Sequence, residues 1–277
     1  MTQPTAGKSS ERTMERTIVI TGASGGIGAA FARLAGARGA RLVLAARREA
    51  ELAEVAREAG PNALAVVADV TRRADVERIL ARALERFGHV DAWINNAGRG
   101  ITRPVAELTD DDLDEMFLVN VKAALYGMQT VLPHFRVRGR GHIVNLSSML
   151  GRVPMASTRS AYSAAKHALN SLTANLRMDL RAEFPGIHVT TVSPGVVATE
   201  FGVRALGGGL DSRRIPNAQP VEEVAAVLLD VLEHPRADVY TRAGMREAVA
   251  KYFAAEDMAA AEAAFAPLAP QPAAPDR

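Results

Sequence analysis

Residues 17–28 read TIVITGASGGIG. The first five are apolar or β-branched without polar alternation, the pattern of a strand covered on both faces. Gly22, Gly25, Gly26 and Gly28 then let the chain turn sharply and bring backbone N–H groups close to a ligand. A helical pattern begins at once, so an anion held by this turn sits at the positive end of a helix. A strand, a glycine-rich turn and a helix in that order open a dinucleotide-binding unit. The spacing Gly22-x3-Gly26-x-Gly28 differs from G-x-G-x-x-G.

Outward from this stretch, short apolar runs alternate with longer helical patterns. Thr17–Thr21, Arg41–Ala46, Ala63–Val70, Ala92–Asn95, His142–Ser147, His188–Ser193 and Ala237–Thr241 read as buried parallel strands. Helices are expected over 26–38, 49–59, 73–87, 110–136, 160–183 and 221–233. Right-handed crossovers then give an α/β fold, a single doubly wound Rossmann-type domain. Its seven-stranded parallel sheet carries helices on both faces. Residues 1–15 read as a flexible leader, 16–265 as the dinucleotide-binding and catalytic domain, and the Pro- and Ala-rich 266–277 as a disordered tail. A last helix over 245–265 places Met245, Val249, Tyr252 and Phe253 on one face.

Composition narrows the function. The 277 residues carry 33 Lys+Arg against 31 Asp+Glu, a net +2 with no basic block, so nucleic acid is not an expected partner. No run of about 18 apolar residues occurs, so no membrane span is expected, and residues 1–15 lack the apolar core of a signal peptide, which makes the cytoplasm the expected location. With no Cys there is no thiol nucleophile or thiolate metal site, and the six histidines show no H-x3-H pair, so no metal is expected. Thr109-Asp110-Asp111-Asp112 reads as a capped helix start rather than a cation site.

Further motifs follow the glycine turn in fixed order: Asp69-Val70, Asn95-Asn96-Ala97-Gly98, Asn120, Ser148, Tyr162-x3-Lys166, and Pro194-Gly195 followed by Thr199. With Thr21–Gly28 as a TGxxxGxG turn, this series resembles the short-chain dehydrogenase/reductase family over roughly residues 16–242. The resemblance implies that Gly22, Gly26, Ile27 and Gly28 surround the pyrophosphate of a nicotinamide dinucleotide, while Ser24 is expected to add a hydroxyl donor beside Arg47 at a 2′-phosphate. It implies that Asp69 accepts from the adenine amino group beside Val70, and that Asn96, Ala97 and Gly98 line the adenosine ribose. Thr199, after the Pro194-Gly195 turn, would hold the nicotinamide carboxamide.

The second strand bears on which dinucleotide. A site for NAD(H) usually has a carboxylate at that strand's end to bind the ribose 2′-OH. Here the strand ends Ala46-Arg47-Arg48 with no acid before Glu49. Arg47 stands where a 2′-phosphate would lie, and a guanidinium matches that phosphate with paired hydrogen bonds. NADP(H) is therefore favoured over NAD(H).

Tyr162 and Lys166 are four apart in a helical segment and so share a face, with Cβ atoms about 5–6 Å apart. Reducing a ketone needs a hydride and a proton, and a free phenol of pKa about 10 is a weak acid or base near neutrality. An ammonium ~4 Å away contributes up to ~4 kcal/mol at an effective dielectric of 20. That lowers the phenol pKa by at most about three before burial opposes it. The family resemblance implies that Lys166 also holds the nicotinamide ribose, that Ser148 binds the substrate oxygen, and that Asn120 anchors a water leading to Lys166. Ser147 is the competing serine. The loop from Ser148 to Tyr162 is one residue longer than usual in the family, with the extra residue expected in 155–160.

The reading is an NADP(H)-dependent oxidoreductase acting on a small carbonyl compound or secondary alcohol. Leu150, Val153, Pro154, Met155 and Val196 suggest a hydrophobic substrate, and 200–219 suggests either a lid or a surface loop. The family resemblance implies a homodimer or homotetramer through the helices at 110–136 and 160–183. The alternatives are a redox sensor that binds nicotinamide without turnover, and an epimerase or dehydratase on the same fold.

Overall fold

The alternation of apolar runs and helical patterns is realised in the computed structural model, which describes residues 14–264. The elements are β1 (Thr17–Thr21), α1 (Gly26–Ala37), β2 (Arg41–Ala46), α2 (Glu49–Ala59), β3 (Ala63–Val67), α3 (Arg73–Phe87), β4 (Ala92–Asn95), α4 (Asp110–Phe117), α5 (Ala123–Arg138), β5 (Gly141–Leu146), α6 (Ser160–Leu180), β6 (Ile187–Ser193), α7 (Val221–Glu233), β7 (Asp238–Tyr240), α8 (Met245–Phe253) and α9 (Met258–Ala263). The strands form one parallel sheet of order β3-β2-β1-β4-β5-β6-β7. Strand order reverses between β1 and β4, and the crevice beyond their carboxyl ends is where such sheets hold ligands.

Successive residues of each strand feed opposite cores. Ile18, Ile20, Leu42 and Leu44 join Phe31 of α1 and Leu228 and Leu232 of α7. Val19, Val43, Trp93 and Ile143 meet Ile79, Val131, Phe135 and Leu180 on the other side. Each fully buried side chain of this size contributes about 1.5–3 kcal/mol, so the sheet is a rigid base for the loops at its edge.

Four local expectations are corrected. Residues 110–136 are not one regular helix: α4 passes through a π-helical turn at Leu118–Lys122 before α5. Asn120 lies in that turn, and its side chain donates to the Met116 carbonyl and to the Arg99 carbonyl outside the helix. β3 stops at Val67 and forms a sheet edge with Ala65 and Val67 exposed, because Asp69 takes its own loop's Thr71 N–H and turns the chain. The 245–265 helix breaks after Phe253, where Asp257 caps a new start by accepting from the Ala260 N–H. Phe253 is 65% exposed, whereas Tyr252 is buried. Met14, placed in the leader, is buried in the core and its N–H bonds the Arg38 carbonyl. Residues 1–13 of that leader and the tail at 266–277 lie outside the described residues.

At the start of β5 and β6, His142 and His188 face each other across the strands and meet edge to face with centroids 5.7 Å apart. Thr190 gives its hydroxyl proton to the Arg236 carbonyl, so His142 Nε2 donates to Thr190 Oγ and Nδ1 is left bare and unpartnered. Burial, with His188 and Arg16 adding to it, pushes the His142 pKa down to about 3. A folded pKa below the unfolded ~6.5 means the unfolded chain takes up the proton first as pH falls, so this site's contribution is lost between pH 6.5 and 3. His142→Gln is expected to flatten that part of the urea-unfolding pH profile by up to about 1.4 kcal/mol per pH unit. A parallel profile for the variant would contradict the assignment.

Candidate active site

The glycine turn sits at the carboxyl end of β1, beside the end of β4. Gly22 and Gly26 have φ of +67° and +54°, which other residues rarely adopt. A Cβ on Gly28 would lie 2.6 Å from the Gly22 carbonyl oxygen and 2.7 Å from Asn96 Nδ2. Asn96 donates to the carbonyls of Thr21 and Gly22, while Thr21 Oγ accepts from the N–H groups of Asn96 and Ala97. The two strand ends are thus locked together. No side chain caps α1, and its first turn carries no acid. By contrast, Thr109 and Asp112 close α4 with a full capping box. The α1 terminus, with Ile27 in its first turn, therefore keeps its positive end available to an anion, which fits a pyrophosphate.

At the end of β2 the two arginines part. Arg47 is exposed, whereas Arg48 folds back so that Nε donates to Ser24 Oγ at 3.1 Å and Nη2 to the Ser24 carbonyl at 2.9 Å. Glu51 holds the same guanidinium. The hydroxyl of Ser24 is engaged by Arg48, to which the sequence assigned no contact. Its placement at the start of α2 is the only available signal. Along the crevice, Asp69 uses one carboxylate oxygen for the Thr71 turn, with Val70 half-buried beside it. Asn95 turns inward, bonded to Trp93, Asn145 and the Ala124 carbonyl, and serves the core.

Gly98, Asn120 and Lys166 converge: a Cβ on Gly98 would lie 3.0 Å from Asn120 Oδ1 and 3.7 Å from Lys166 Nζ. The Asn120 carbonyl oxygen accepts from the Arg99 N–H, so its side chain pins the 98–99 loop to the π-turn. Lys166 is buried, with Nζ donating to the Leu146 carbonyl at 2.8 Å and lying 5.6 Å from the centre of the Tyr162 ring. Burial lowers its pKa to about 8. Ser148, directly after β5, accepts from the Leu150 N–H and hydrogen-bonds the Tyr162 hydroxyl. Ser147 Oγ is buried without a partner and faces Gly151 instead.

The phenol itself departs from the sequence-based expectation. Burial drives the Tyr162 pKa up to about 12, with the Ser148 hydrogen bond and the nearby Arg159 charge opposing it. Lys166 does not lower the phenol in the protein alone, because its ammonium is turned to Leu146. The edge of the Phe201 ring rests on Tyr162, centroids 5.4 Å apart, closing the site. Neither Phe201 nor Arg159 carries a sequence signal, since both act through loop packing.

After β6, the Pro194 carbonyl accepts from Met149 N–H, and a Cβ on Gly195 would strike Met245 of α8. Thr199 Oγ accepts from Phe201 N–H, and its methyl approaches Gly26 across the crevice. Val153 and Met155, expected in the substrate wall, are instead held under α8 with Tyr252 and Met245. Segment 200–219 is tied to the body through Ile101 and Leu206 and a short 3-10 turn, Ser212–Arg214. Among the described residues no cluster of His, Asp and Glu is arranged to hold a metal, and no helix is long and apolar enough to cross a membrane.

Residues 16–205 match the profile of the short chain dehydrogenase family. An uncharacterised oxidoreductase of Bacillus subtilis is 36% identical over 233 residues, which span 82% of this chain and 65% of that protein. A short-chain dehydrogenase/reductase from Burkholderia phymatum, solved with NAD, superposes with a TM-score of 0.79 at 28% identity, covering 87% of this chain and 94% of the other. An alcohol dehydrogenase of Thermococcus sibiricus, solved with 5-hydroxy-NADP, gives 0.72 at 27% identity, covering 83% and 97%.

Proposed function

The chain belongs to the short-chain dehydrogenase/reductase family and is an oxidoreductase of that type, and from this premise we propose that it moves a hydride between NADP(H) and a small carbonyl compound or secondary alcohol. The observation that carries the proposal is the buried Tyr162 hydroxyl bonded to Ser148 and backed by Lys166, at the mouth of a crevice with an uncapped helix end. When bound, the nicotinamide supplies or accepts the hydride. Tyr162 gives its proton to the carbonyl oxygen on reduction and takes it back on oxidation. Ser148 donates to the same oxygen and steadies the charge that develops there. Lys166 supplies the nearby positive charge and hydrogen bonds to the nicotinamide ribose, and Asn120 pins the 98–99 loop to the π-helical turn beside that ammonium.

Gly22, Ser24, Gly26, Ile27 and Gly28 would hold the pyrophosphate, Asp69, Val70, Asn96, Ala97 and Gly98 the adenosine, and Pro194, Gly195 and Thr199 the nicotinamide. Preference for the 2′-phosphate rests on the paired arginines. Arg47 is exposed and open to it, and Arg48 already spans from α2 to Ser24. Arg47→Asp is expected to cut kcat/KM for NADPH relative to NADH by at least ~10-fold, in line with the loss of a charge-assisted pair and the gain of a repelling one. Arg48→Gln should move the ratio the same way by less. Initial rates with both cofactors decide it, and a ratio unchanged in both variants would contradict the NADP(H) assignment.

A further inference from the structure

Beside Tyr162, one charge on the wall of the cleft has no counter-charge. Arg159 immediately precedes α6 and is half-buried. Its Nη1 donates to the Ile101 carbonyl at 3.1 Å, and no carboxylate meets it among the described residues. The neighbouring arginines differ: Arg99, Arg103, Arg204 and Arg213 are each paired with an acid. Nε and Nη2 of Arg159 make no hydrogen bond, yet neither is sealed from water. A half-buried guanidinium with unpaired, water-accessible donors and a charge that reaches Tyr162 offers an anion a place to displace that water.

Two glycines let neighbouring loops pack closely on its Nη atoms. A Cβ on Gly100 would lie 3.1 Å from Arg159 Nη1, and one on Gly209 would lie 3.1 Å from Nη2. Phe201, whose ring covers Tyr162, borders the same Gly100 position. The guanidinium is also close enough for its charge to act on the Tyr162 phenol. We infer that Arg159 is the anion-binding residue of the substrate cleft, and that the carbonyl or hydroxyl compound turned over here carries a carboxylate.

The planar fork of a guanidinium pairs edge-on with a planar carboxylate. Phe201, Leu206 and Leu150 around Tyr162 leave the remainder of the substrate an apolar environment. This inference rests on the oxidoreductase reading. The reaction is then oxo acid to hydroxy acid: hydride from the reduced nicotinamide to the carbonyl carbon, the carbon–oxygen π pair to oxygen, and the Tyr162 proton onto that oxygen. The carboxylate is unchanged throughout.

The test compares pyruvate and levulinate, each against its methyl ester, with NADPH and NADH in the wild type, Arg159→Gln and Arg159→Lys. The wild type should prefer one of the acids over its ester, and Arg159→Gln should cut that acid-to-ester ratio of kcat/KM roughly 30-fold, about 2 kcal/mol at 1.36 per tenfold. Arg159→Lys should recover part of it. Esters reduced as well as acids by the wild type, or a ratio untouched in Arg159→Gln, would overturn the inference while leaving the oxidoreductase reading intact. In parallel, thermal protection of the cofactor-loaded protein by valerate and by valeramide is measured. Protection by valerate alone, lost in Arg159→Gln, supports an anion site even if none of the four compounds is reduced. Equal protection by the two, or by neither, rejects it.

Discussion

Tyr162→Phe is expected to lower kcat by about 10³-fold or more, at the upper range for loss of a positioned proton donor, while NADPH binding by fluorescence titration stays within about threefold. The variant removes one oxygen and keeps the ring. Its packing on Phe201 is therefore preserved, and the loss falls on the group bonded to Ser148. A second signature separates this from misfolding. Burial holds the phenol at about 12, above the unfolded value near 10, so its contribution to stability is present below pH 10 and lost as pH rises toward 12. Tyr162→Phe should remove that alkaline fall in stability and leave the fold intact at pH 7. Retained turnover would end the proton-transfer role.

Lys166→Met should separate activity from stability in the opposite direction. Turnover is expected to fall by about 10²-fold or more, because the positive charge and a donor beside Tyr162 are both gone. Stability at pH 7 should rise. Holding this amine at about 8 rather than 10.5 corresponds to a burial cost of about 3 kcal/mol at 1.36 kcal/mol per pKa unit. Methionine avoids most of that cost, less about 1 kcal/mol for the lost hydrogen bond to the Leu146 carbonyl. The sign with pH follows. Between pH 8 and 10.5 the folded protein sheds this proton before the unfolded chain does, so wild-type stability gains from this site as pH rises. Urea unfolding at pH 7 and pH 10 should show that gain in the wild type and its absence in Lys166→Met. A variant less stable than wild type at pH 7 would contradict the account of the buried ammonium.

What the sequence made legible is what repeats along the chain. Continuous apolar runs located the strands, and the Thr21–Gly28 turn located the crevice, because both depend on local pattern. Periodicity could not register the π-turn at Leu118–Lys122, since one inserted residue shifts a helix face without leaving a compositional trace. The fate of β3 depended on its being an edge, a property of strand order rather than of its residues. In the site, Tyr162 and Lys166 fall together by helical spacing, but which way the ammonium points does not. Helix geometry brings it near the ring, whereas the Leu146 carbonyl takes its hydrogen bond and burial sets the direction of the phenol's shift. Arg48, Phe201 and Arg159 reach the crevice from loops and helix starts, where sequence neighbours do not determine spatial neighbours.

The central claim is hydride transfer with Tyr162 handling the proton, and isotope transfer tests it most directly. NADPH deuterated at its transferable position is incubated with the protein and a panel of carbonyl compounds, and the alcohol products are weighed by mass spectrometry. The account predicts one deuterium on the carbinol carbon with wild type and no labelled alcohol with Tyr162→Phe. Product formed without the label, or labelled equally by the variant, would contradict it.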